Sequence, residues 1–584
     1  MIVGAGLVLL TWALAVILVI LLGLWPATLG ARDRGDALRR SLWWGLSIAV
    51  VIVLALSLLM PLGSPAALIT MVLLAVIAAV AGVHRWRRLP RRTGSSKQPW
   101  ARWLVLGALS ASVVYLAVAA LGPVTNYDTG LYHLGALRYQ EEFGLVPGIA
   151  NLYFPLGYGN SVIPLSSFLG STPWQENGFR LFNGFLLVLL AIELVLRVRR
   201  RRWTPGTWLL TAALGFVWIP MVALSDYWVT SPTSDSSILI LTSVAVAYLA
   251  DAAVAPATRR APDLGVALVV SWVLVSMRPT MAVFALVTLA VAAILTLRDR
   301  RVGRPDGSMP PLLIGIVLMG VAVAVLQVAR DRILSGWLQY PLSIFAFDVP
   351  WQAADPVGYR TATLGAARDP EDLWAAAESW NWIPGWLSRA PSQWEFWLAI
   401  LIALVSASVV VLAHRYRAPW RPRALLLVLA PSLLATAAWF IASPPAFRFI
   451  WGPLFTLVAL PGAFAAAGLT RVKPSGEAIR VLAKPVVAMP AVALLGVVAF
   501  SAVARLDIGS ITQEQQFSVG PIAMPYTVTA IPTPPFSAGT LESGLEVLFP
   551  IESDQCWANY PLCTAQIEPT VRMIGPTIGD GFAR

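Results

Sequence analysis

The sequence has few charged residues and almost no cysteine, and these shortages exclude most classes of soluble protein. Charged residues make up 12% of the 584 residues, whereas hydrophobic residues make up 58% and the mean hydropathy is +0.72. This composition predicts an integral membrane protein. The chain also lacks a GxxxxGK(S/T) phosphate loop and a GxSxG elbow. ATP-driven transport and serine-hydrolase chemistry are therefore not leading functions.

The excess of positive charge is a property of loops rather than of a nucleic-acid-binding surface. The formal net charge is +12, and the basic residues gather in short clusters between apolar runs. Short basic loops are typical of the cytoplasmic side of a membrane protein. The clusters are Arg32 to Arg40, His84 to Lys97, Arg197 to Arg202, Arg259 and Arg260, Arg298 to Arg304, His414 to Arg423, and Arg471 to Lys484. No nucleic-acid partner is predicted.

The two cysteines, Cys556 and Cys563, both lie near the C-terminus. Paired cysteines in an extracytoplasmic segment favour a disulfide. No second Cys/His pair lies near them, so a metal site is not indicated. We predict no metal site and identify no cofactor, and the requirement for a divalent metal stays open.

About fourteen apolar runs are candidates for membrane-spanning helices, because a span needs roughly 20 residues. The first, at the N-terminus, lacks a basic n-region and a small-residue cleavage site, so it is predicted to be retained. Two short runs around Arg278 and Pro279 form either two spans or a broken pair. The runs are 2–25, 41–62, 65–84, 102–121, 179–197, 206–224, 235–254, 264–277, 280–297, 311–330, 395–413, 424–442, 449–470 and 485–504.

Placing every basic cluster in the cytoplasm gives an alternating path through the membrane without conflict. The N-terminus and three long connections, 122–178, 331–394 and 505–584, are then outside. We therefore predict a transmembrane domain over 1–504 with external loops 122–178 and 331–394. Residues 505–584 form a small extracytoplasmic C-terminal region, with strand-like runs at 523–531 and 545–551. We expect this region to be a lid on the external loops.

The first external connection begins with a polar and aromatic stretch directly after an apolar run. Residues 128–143 place leucines on one side, and Gly144 follows as a helix C-cap. This pattern predicts an amphipathic helix at the membrane interface. Asn126 or Asp128 is expected to cap its start. His133, one of three histidines in the chain, lies within it.

Few charged residues lie near the external ends of the predicted spans, and their chemistry is complementary. A carboxylate at the membrane surface can accept a hydroxyl proton as a general base. An arginine can hold a phosphate through two parallel hydrogen bonds. Each residue also has a structural interpretation, as a helix cap, a turn residue, a packed histidine or an arginine reaching for lipid headgroups. The candidates are Asp128, His133, Asp226, Asp235, Arg278, Asp348 and Arg448.

The second long connection is rich in tryptophan. Trp favours the boundary between membrane and water, so an aromatic belt is one interpretation. Stacking of sugar rings on the indole faces is the other, and the two can hold for different residues. The tryptophans are Trp337, Trp351, Trp374, Trp380, Trp382, Trp386 and Trp394.

Several short stretches resemble the GT-C superfamily of polyprenyl-phosphate-sugar-dependent membrane glycosyltransferases, and within it a bacterial family of large multi-pass proteins. The stretches are 127–133 (YDTGLYH), 142–152 (EFGLVPGIANL), 231–235 (SPTSD), 555–557 (QCW) and 581–582 (GF). The resemblance implies an all-α polytopic fold with external interface helices. It also implies inverting transfer of a sugar from a polyprenyl-phosphate donor.

The resemblance implies that Asp128 is the general base. His133, in the same stretch, is a second catalytic candidate with a positioning role. Arg278 and Arg448 are our placement for the basic groups that bind the donor phosphate. Substrate contacts are predicted at Tyr127, Tyr132, Asp226, Asp235, Asp348 and Trp351. The chain has Tyr127 where some members carry a second acidic residue, and it lacks a WWD signature. Protein O-mannosylation and N-glycosylation are therefore disfavoured.

The resulting hypothesis is a glycosyltransferase of a bacterial plasma membrane whose active site faces outward. The high usage of Ala, Trp and Arg suggests an actinobacterial source. Its partners would be membrane lipids, the lipid-linked donor and a cell-envelope glycan or lipid acceptor. The alternatives are a transporter or flippase of lipid-linked sugars and a polysaccharide polymerase or ligase. A transporter should carry functional charges midway along its helices, and the sequence shows few there. The oligomeric state stays open.

Overall fold

A computed structural model gives the fold of the chain. The residues that it describes are 1–91, 99–170, 173–200, 203–218, 228–301, 309–354, 356–419, 421–471, 477–557, 559–566 and 568–584.

The described chain is dominated by α-helices, and each predicted apolar run coincides with one of them. In order the helices are α1 (Ile2–Thr28), α2 (Arg34–Leu59), α3 (Pro65–Arg88), α4 (Pro99–Ala119), α5 (Leu134–Glu142), α6 (Ile149–Leu152), α7 (Val162–Gly170), α8 (Phe182–Arg199), α9 (Pro205–Trp218), α10 (Ser234–Val254), α11 (Ala261–Met277), α12 (Ala282–Arg301), α13 (Met309–Ser335), α14 (Pro356–Arg368), α15 (Leu373–Glu378), α16 (Ile383–Arg389), α17 (Trp394–Arg415), α18 (Pro422–Ala442), α19 (Trp451–Leu469) and α20 (Glu477–Ala504).

Ten helices in the described ranges are long and apolar enough to cross a membrane. Three shorter apolar helices lie at 103–119, 261–277 and 491–504. The predicted run 206–224 coincides with α9 only as far as Trp218, and 219–227 lie outside the described residues. The protein is an all-α polytopic membrane protein, as the sequence predicts.

The break between α11 and α12 lies at Arg278. The backbone of Arg278 is extended, with φ −151° and ψ 112°, and its N–H still bonds to the carbonyl of Leu274. Pro279 cannot donate a backbone hydrogen bond and therefore cannot continue α11. A 3-10 turn, Pro279–Met281, leads into α12. The two short runs are thus two separate helices, joined at Arg278 and the turn that follows it.

The basic clusters meet at one end of the helix bundle. Arg34 Nε donates to the carbonyl of Leu89 at 3.1 Å, which joins the start of α2 to the end of α3. Arg421 donates to the carbonyl of Val254 at 3.2 Å, which joins the start of α18 to the end of α10. Arg200 at the end of α8 pairs with Asp36 of α2 at 3.1 Å. The described residues of these clusters therefore lie at one end of the bundle, which we name the basic end.

Just inside the basic end, a buried carboxylate connects three helices. Glu193 of α8 accepts from Arg39 and Trp43 of α2, each at 3.2 Å, and from Tyr248 of α10 at 3.2 Å. Arg197, one turn along α8, donates to Glu193 at 2.6 Å. Charges at this depth are stable only when they are paired and hydrogen-bonded. The network lies within two turns of the helix ends.

The three long connections pack on one another at the opposite end, which we name the polar end. Asn151 of the first connection donates to the carbonyl of Trp351 in the second at 3.0 Å. The rings of Phe154 and Tyr359 stack with their centroids 4.4 Å apart. Gln566 of the C-terminal region donates to the Tyr359 hydroxyl at 2.6 Å. The connections form one layer over the bundle.

Short antiparallel hairpins supply the β-structure of the described residues. The second connection contains β1 (Trp337–Gln339) paired with β2 (Leu342–Ala346). The C-terminal region contains β3 (Gln513–Val519) with β4 (Ile522–Val528), β5 (Phe536–Thr540) with β6 (Glu546–Pro550), and β7 (Arg572–Met573) with β8 (Phe582–Ala583). Strands β4 and β6 lie where the sequence shows strand-like runs. The N-terminal amine bonds to Thr527 Oγ1 at 2.7 Å, which places the chain's start at the polar end.

Candidate functional site

The first connection begins with a capped, tightly wound turn. Asn126 Oδ1 accepts from the Thr129 backbone N–H at 3.2 Å, so Asn126 rather than Asp128 caps the segment. A π-helical turn, Thr129–His133, leads into α5, which ends before Gly144 with φ +78°. The predicted amphipathic helix is therefore present in two parts. With the cap supplied by Asn126, the carboxylate of Asp128 is left to make other contacts.

Asp128 pairs with an arginine that lies 320 residues away in sequence. Arg448 Nη1 lies 3.0 Å from Asp128 Oδ2, and the two side chains are 32% and 18% exposed. Arg448 lies in the turn Phe447–Phe449 between α18 and α19. Burial opposes its charged form, but the carboxylates of Asp128 and Asp235 outweigh burial and raise the pKa of Arg448. The pair is partly open to solvent at the polar end.

A second arginine–carboxylate pair lies beside the first. Arg278 forms an ion pair with Asp235, in the first turn of α10. Arg278 also donates to Ser234 Oγ at 3.0 Å and to the Phe449 carbonyl at 2.8 Å. Its guanidinium lies 4.9 Å from the Phe449 ring centroid, and that of Arg448 lies 5.0 Å from the same centroid. The two arginines therefore share one aromatic ring, and both are held close together.

His133 is buried beside Thr129, which links the first connection to the segment that precedes α10. Its Nδ1 lies 3.5 Å from Thr129 Oγ1, which lies 2.6 Å from Ser231 Oγ. Burial lowers the pKa of His133 to about 3, despite the nearby charge of Asp235. The imidazole is therefore neutral at physiological pH. This environment fits a residue that orients the loop better than one that carries charge.

Tyrosines surround Asp128. The Tyr132 ring lies 4.4 Å from that of His133 and 5.9 Å from that of Tyr158, between ring centroids. Burial raises the pKa of Tyr132, and the nearby charge of Asp128 adds to it. The pKa of Tyr153 is raised in the same way, with Asp128 among the charges that act on it. These phenols therefore stay protonated and can donate hydrogen bonds.

The C-terminal region covers the outer side of this turn. The Tyr127 hydroxyl donates to the carboxylate of Asp554, and Gln555 Nε2 donates to the Tyr127 carbonyl at 2.8 Å. Cys556 and Cys563 are joined by a disulfide, and the Trp557 N–H between them donates to the Gly130 carbonyl at 2.9 Å. A Cβ at Gly130 would lie 2.4 Å from the Trp557 ring, so only glycine fits.

Two of the predicted substrate-binding residues have no described contact with this cluster, and a third, Asp226, belongs to 219–227, outside the described residues. Asp348 is exposed beyond β2, and among the described contacts none joins it to Asp128, Asp235 or either arginine. The Trp351 carbonyl accepts from Asn151, and its indole donates to the Arg332 carbonyl at 3.0 Å. The substrate-binding roles of these three residues stay predictions.

One acidic residue near the cluster was missed by the sequence reasoning. Glu395, in the first turn of α17, is close enough to Arg448 and Asp235 to interact electrostatically. Glu395 also lines an otherwise apolar groove. A single acidic residue at the start of a predicted span is unusual, and this feature of the sequence could have identified Glu395 as a candidate. The other groove residues are Phe216, Leu239, Leu398, Ala399, Ile402, Trp451, Leu454, Phe455 and Val458.

Some tryptophans of the second connection are buried, and others are exposed. Trp382 and Trp386 are buried with Trp439 and Phe447 in one aromatic cluster, directly before Arg448. Trp374 and Trp380 are exposed. The buried pair supports the turn that carries Arg448.

The described residues contain no group of three or more His, Cys, Asp or Glu side chains arranged to hold a metal ion. The groups that the cluster brings together are carboxylates, guanidinium groups and tyrosine hydroxyls. Together they can accept a proton and bind an anion within one small region.

A family model described as a domain of unknown function, DUF8201, matches residues 6–455. The chain belongs to this family. The match contains the whole Asp128–Arg448 and Asp235–Arg278 arrangement, whereas the C-terminal region that covers it lies beyond the match. A comparison with curated proteins found no match.

Among solved structures, this DUF8201 chain is similar to the arabinosyltransferase EmbB from Mycobacterium smegmatis. The identity is 16% and the TM-score is 0.30. The alignment covers 75% of this chain and 45% of EmbB, so the DUF8201 chain spans less than half the length of that protein.

Proposed function

We propose that this protein is a membrane glycosyltransferase of the GT-C type. It transfers a sugar from a polyprenyl-phosphate donor to a cell-envelope acceptor at the outer face of a bacterial plasma membrane. The observation that supports this most directly is the Asp128–Arg448 pair at 3.0 Å, partly exposed at the polar end of the bundle. It unites a proton acceptor with a phosphate-binding group.

In the proposed reaction, an acceptor hydroxyl attacks the anomeric carbon of the donor sugar. Asp128 takes the hydroxyl proton as the new glycosidic bond forms. The bond between the anomeric carbon and the phosphate oxygen breaks, and polyprenyl phosphate leaves with the bonding electrons. Arg448 offsets the negative charge on the leaving phosphate. Attack from the face opposite the phosphate inverts the anomeric configuration.

The pairing of Asp128 with Arg448 implies an exchange when the donor binds. The guanidinium of Arg448 contacts Asp128 in the structure. A phosphate that engages Arg448 competes with this carboxylate and releases Asp128 to accept a proton. Arg278 differs from Arg448, because its guanidinium already bonds to Asp235, Ser234 and the Phe449 carbonyl. We therefore assign donor phosphate binding chiefly to Arg448, with Arg278 fixing Phe449 and the local geometry.

The apolar groove supports a lipid-linked donor. It is lined by α9, α10, α17 and α19, and Trp451 of the groove is three residues from Arg448. A donor whose phosphate meets Arg448 would have its hydrocarbon chain beside this groove. Burial of apolar chain contributes about 0.8 kcal/mol per methylene group. The groove and the arginine thus suit the two parts of one amphipathic substrate.

The same cluster favours the enzyme over a transporter. The external charges lie at helix ends and in loops, and the deeper Glu193 network is paired close to the basic end. A transporter of charged lipid-linked sugars would carry its functional charges nearer the bilayer centre. Residues of the described chain offer no such site.

The test is sugar transfer by the purified protein in nanodiscs, with a panel of polyprenyl-phosphate-linked hexoses and pentoses as donors. We expect Asp128→Asn to bind the donor but to transfer at least about 100-fold more slowly, since loss of a general base typically removes that factor. Glu371→Gln, an exposed acid of the second connection, is the matched control and should leave the rate unchanged. Near-normal transfer by Asp128→Asn would refute the assignment.

A further inference from the structure

The turn that presents Asp128 has an outward-facing aromatic side chain with polar partners from a distant part of the chain. Tyr127 is 48% exposed, whereas the next side chain, Asp128, is 18% exposed. Tyr127 bonds to Asp554 through its hydroxyl and to Gln555 through its carbonyl. An exposed ring, a carboxylate and an amide therefore lie side by side, next to the proposed base.

The C-terminal loop that supplies these groups is firmly placed. The disulfide between Cys556 and Cys563 closes it, and the Trp557 N–H bonds to Gly130. Further along, the Leu562 N–H donates to the Tyr139 hydroxyl at 3.1 Å. Asp554 and Gln555 immediately precede this anchored loop. Preorganised polar groups of this kind favour binding, because little side-chain entropy remains to be lost.

These groups match the chemistry of a carbohydrate. Sugar hydroxyls need both hydrogen-bond donors and acceptors, which the Asp554 carboxylate, the Gln555 amide and the Tyr127 hydroxyl together provide. The apolar C–H face of a sugar ring packs on an aromatic face, and tyrosine adds a polar tip. The protonated phenols of Tyr132 and Tyr153 lie close to Asp128 on the inner side.

The acidic residues near Tyr127 narrow the class of acceptor further. Asp554 and Glu552 are both exposed on this loop, and Asp128 lies behind Tyr127. Like charges close together are unfavourable, so an acidic rim selects against phosphorylated or uronic acid acceptors. The donor phosphate instead meets Arg448, which pairs with Asp128. The two substrates would thus meet groups of opposite charge next to the base.

The geometry points to an acceptor subsite at Tyr127, Asp554 and Gln555 that binds a neutral glycan and presents one of its hydroxyls to Asp128. This inference rests on the proposed function, which leaves open whether the acceptor is a glycan or a lipid. It assigns the acceptor side to a contact between the first connection, which the family model matches, and the C-terminal region, which lies beyond the match.

The test is saturation-transfer NMR on the full-length protein in nanodiscs, with neutral trisaccharides as probes. The probes are α1,6-mannotriose, α1,5-arabinotriose and maltotriose, with trigalacturonic acid as the acidic counterpart. We expect at least one neutral probe to bind, and Asp554→Asn and Tyr127→Ala to weaken its binding about tenfold or more. That factor corresponds to the loss of a hydrogen bond to a charged group.

Glu542→Gln is the matched control, an exposed acid of the C-terminal region that makes none of the contacts described above, and this variant should bind the probe within about twofold of wild type. Intact mass must show the disulfide in every variant, and Gln555→Ala gives a second, independent truncation. The subsite is overturned if no neutral probe binds, if the variants bind like wild type, or if trigalacturonic acid binds equally well.

The binding measurement keeps this inference separate from the proposed function. If sugar transfer proceeds but acceptor affinity is unchanged in Asp554→Asn and Gln555→Ala, the acceptor subsite is refuted and the transferase proposal is supported. If neutral trisaccharides bind through Asp554 but no donor supports transfer, the subsite stands and the transferase proposal falls.

Discussion

At the scale of single residues, the main result is that the two candidate phosphate-binding arginines are not equivalent. The sequence placed Arg278 and Arg448 in the same role. In the structure Arg278 has several protein partners, whereas Arg448 is more exposed and pairs with Asp128. Such differences depend on contacts between residues far apart in sequence, so residue type and spacing do not reveal them.

The difference predicts separate effects of the two alanine variants. Arg448→Ala should weaken binding of polyprenyl phosphate about tenfold or more, because a charged hydrogen bond to the phosphate is lost. Arg278→Ala should chiefly lower thermal stability, because it leaves the carboxylate of Asp235 without its guanidinium. Binding of polyprenyl phosphate in nanodiscs and thermal unfolding measure the two effects. Arg360→Ala, an exposed arginine of α14, is the control. Unchanged phosphate binding by Arg448→Ala would contradict the assignment.

His133 predicts a pH dependence of stability. Burial lowers its pKa to about 3 in the folded protein, whereas an unfolded histidine titrates near 6.5. Between these values the unfolded chain binds a proton that the folded chain does not. The contribution of His133 to stability is therefore lost as the pH falls from about 6.5 towards 3.

Burial raises the pKa of Glu141 to about 8, so its protonation stabilises the fold as the pH falls and opposes the effect of His133. The prediction is therefore a difference: between pH 7 and pH 5, the melting temperature of the wild-type protein should fall relative to that of His133→Gln. His84→Gln, which replaces an exposed histidine at the basic end, should change as the wild type does. Thermal unfolding in nanodiscs at both pH values measures this. The same change in wild type and His133→Gln would show that His133 does not contribute.

At the scale of elements, hydropathy predicted the helices well and the polar end poorly. Each long apolar run became a helix because a segment in lipid must satisfy its own backbone hydrogen bonds. The corner at Arg278 also followed from sequence, since proline ends the preceding helix. How the hairpins and the disulfide-closed loop sit on the first connection depends on contacts such as Trp557 on Gly130. Contacts between such distant residues leave no recognisable pattern in the local sequence.

The Glu193 network predicts a strong dependence of bundle stability on one carboxylate. Glu193→Ala removes a carboxylate that pairs with the buried Arg39 and Arg197. Such a loss typically lowers the free energy of unfolding by about 3–5 kcal/mol. Glu176→Ala provides the contrast, because Glu176 pairs with Arg138 while 71% exposed and should cost at most about 1 kcal/mol. Unfolding of both variants in nanodiscs gives the comparison. A similar small loss in both would show that the network contributes little.

At the scale of the whole molecule, the sequence supplied the spans, the basic loops and the residues of the cluster, but not the cluster itself. Asp128 and Arg448 were separate candidates because nothing local connects them. Glu395 and Asp554 were overlooked, since one stands at the edge of an apolar run and the other in a polar tail. Whether side chains from distant segments meet at a membrane surface depends on how the helices pack. Hydropathy does not describe this packing, because it indicates only where each helix begins and ends.

The arrangement of the whole chain makes a final prediction about its orientation in the membrane. Contacts join the basic loops at one end, and the three long connections pack together at the other. Because cytoplasmic loops carry the excess of Lys and Arg, the basic end should face the cytoplasm. The proposed site would then face outward, where a lipid-linked donor and an envelope glycan can meet.

Single cysteines introduced at exposed positions test this directly, because the two native cysteines are joined to each other. A membrane-impermeant maleimide should label Ser388→Cys and Ser537→Cys in intact cells, since both positions are exposed at the polar end. His414→Cys, exposed at the basic end, should react only after permeabilisation. The reverse pattern would place the Asp128–Arg448 pair in the cytoplasm. An external donor and acceptor could then not reach it, and the proposed function would fail with the topology.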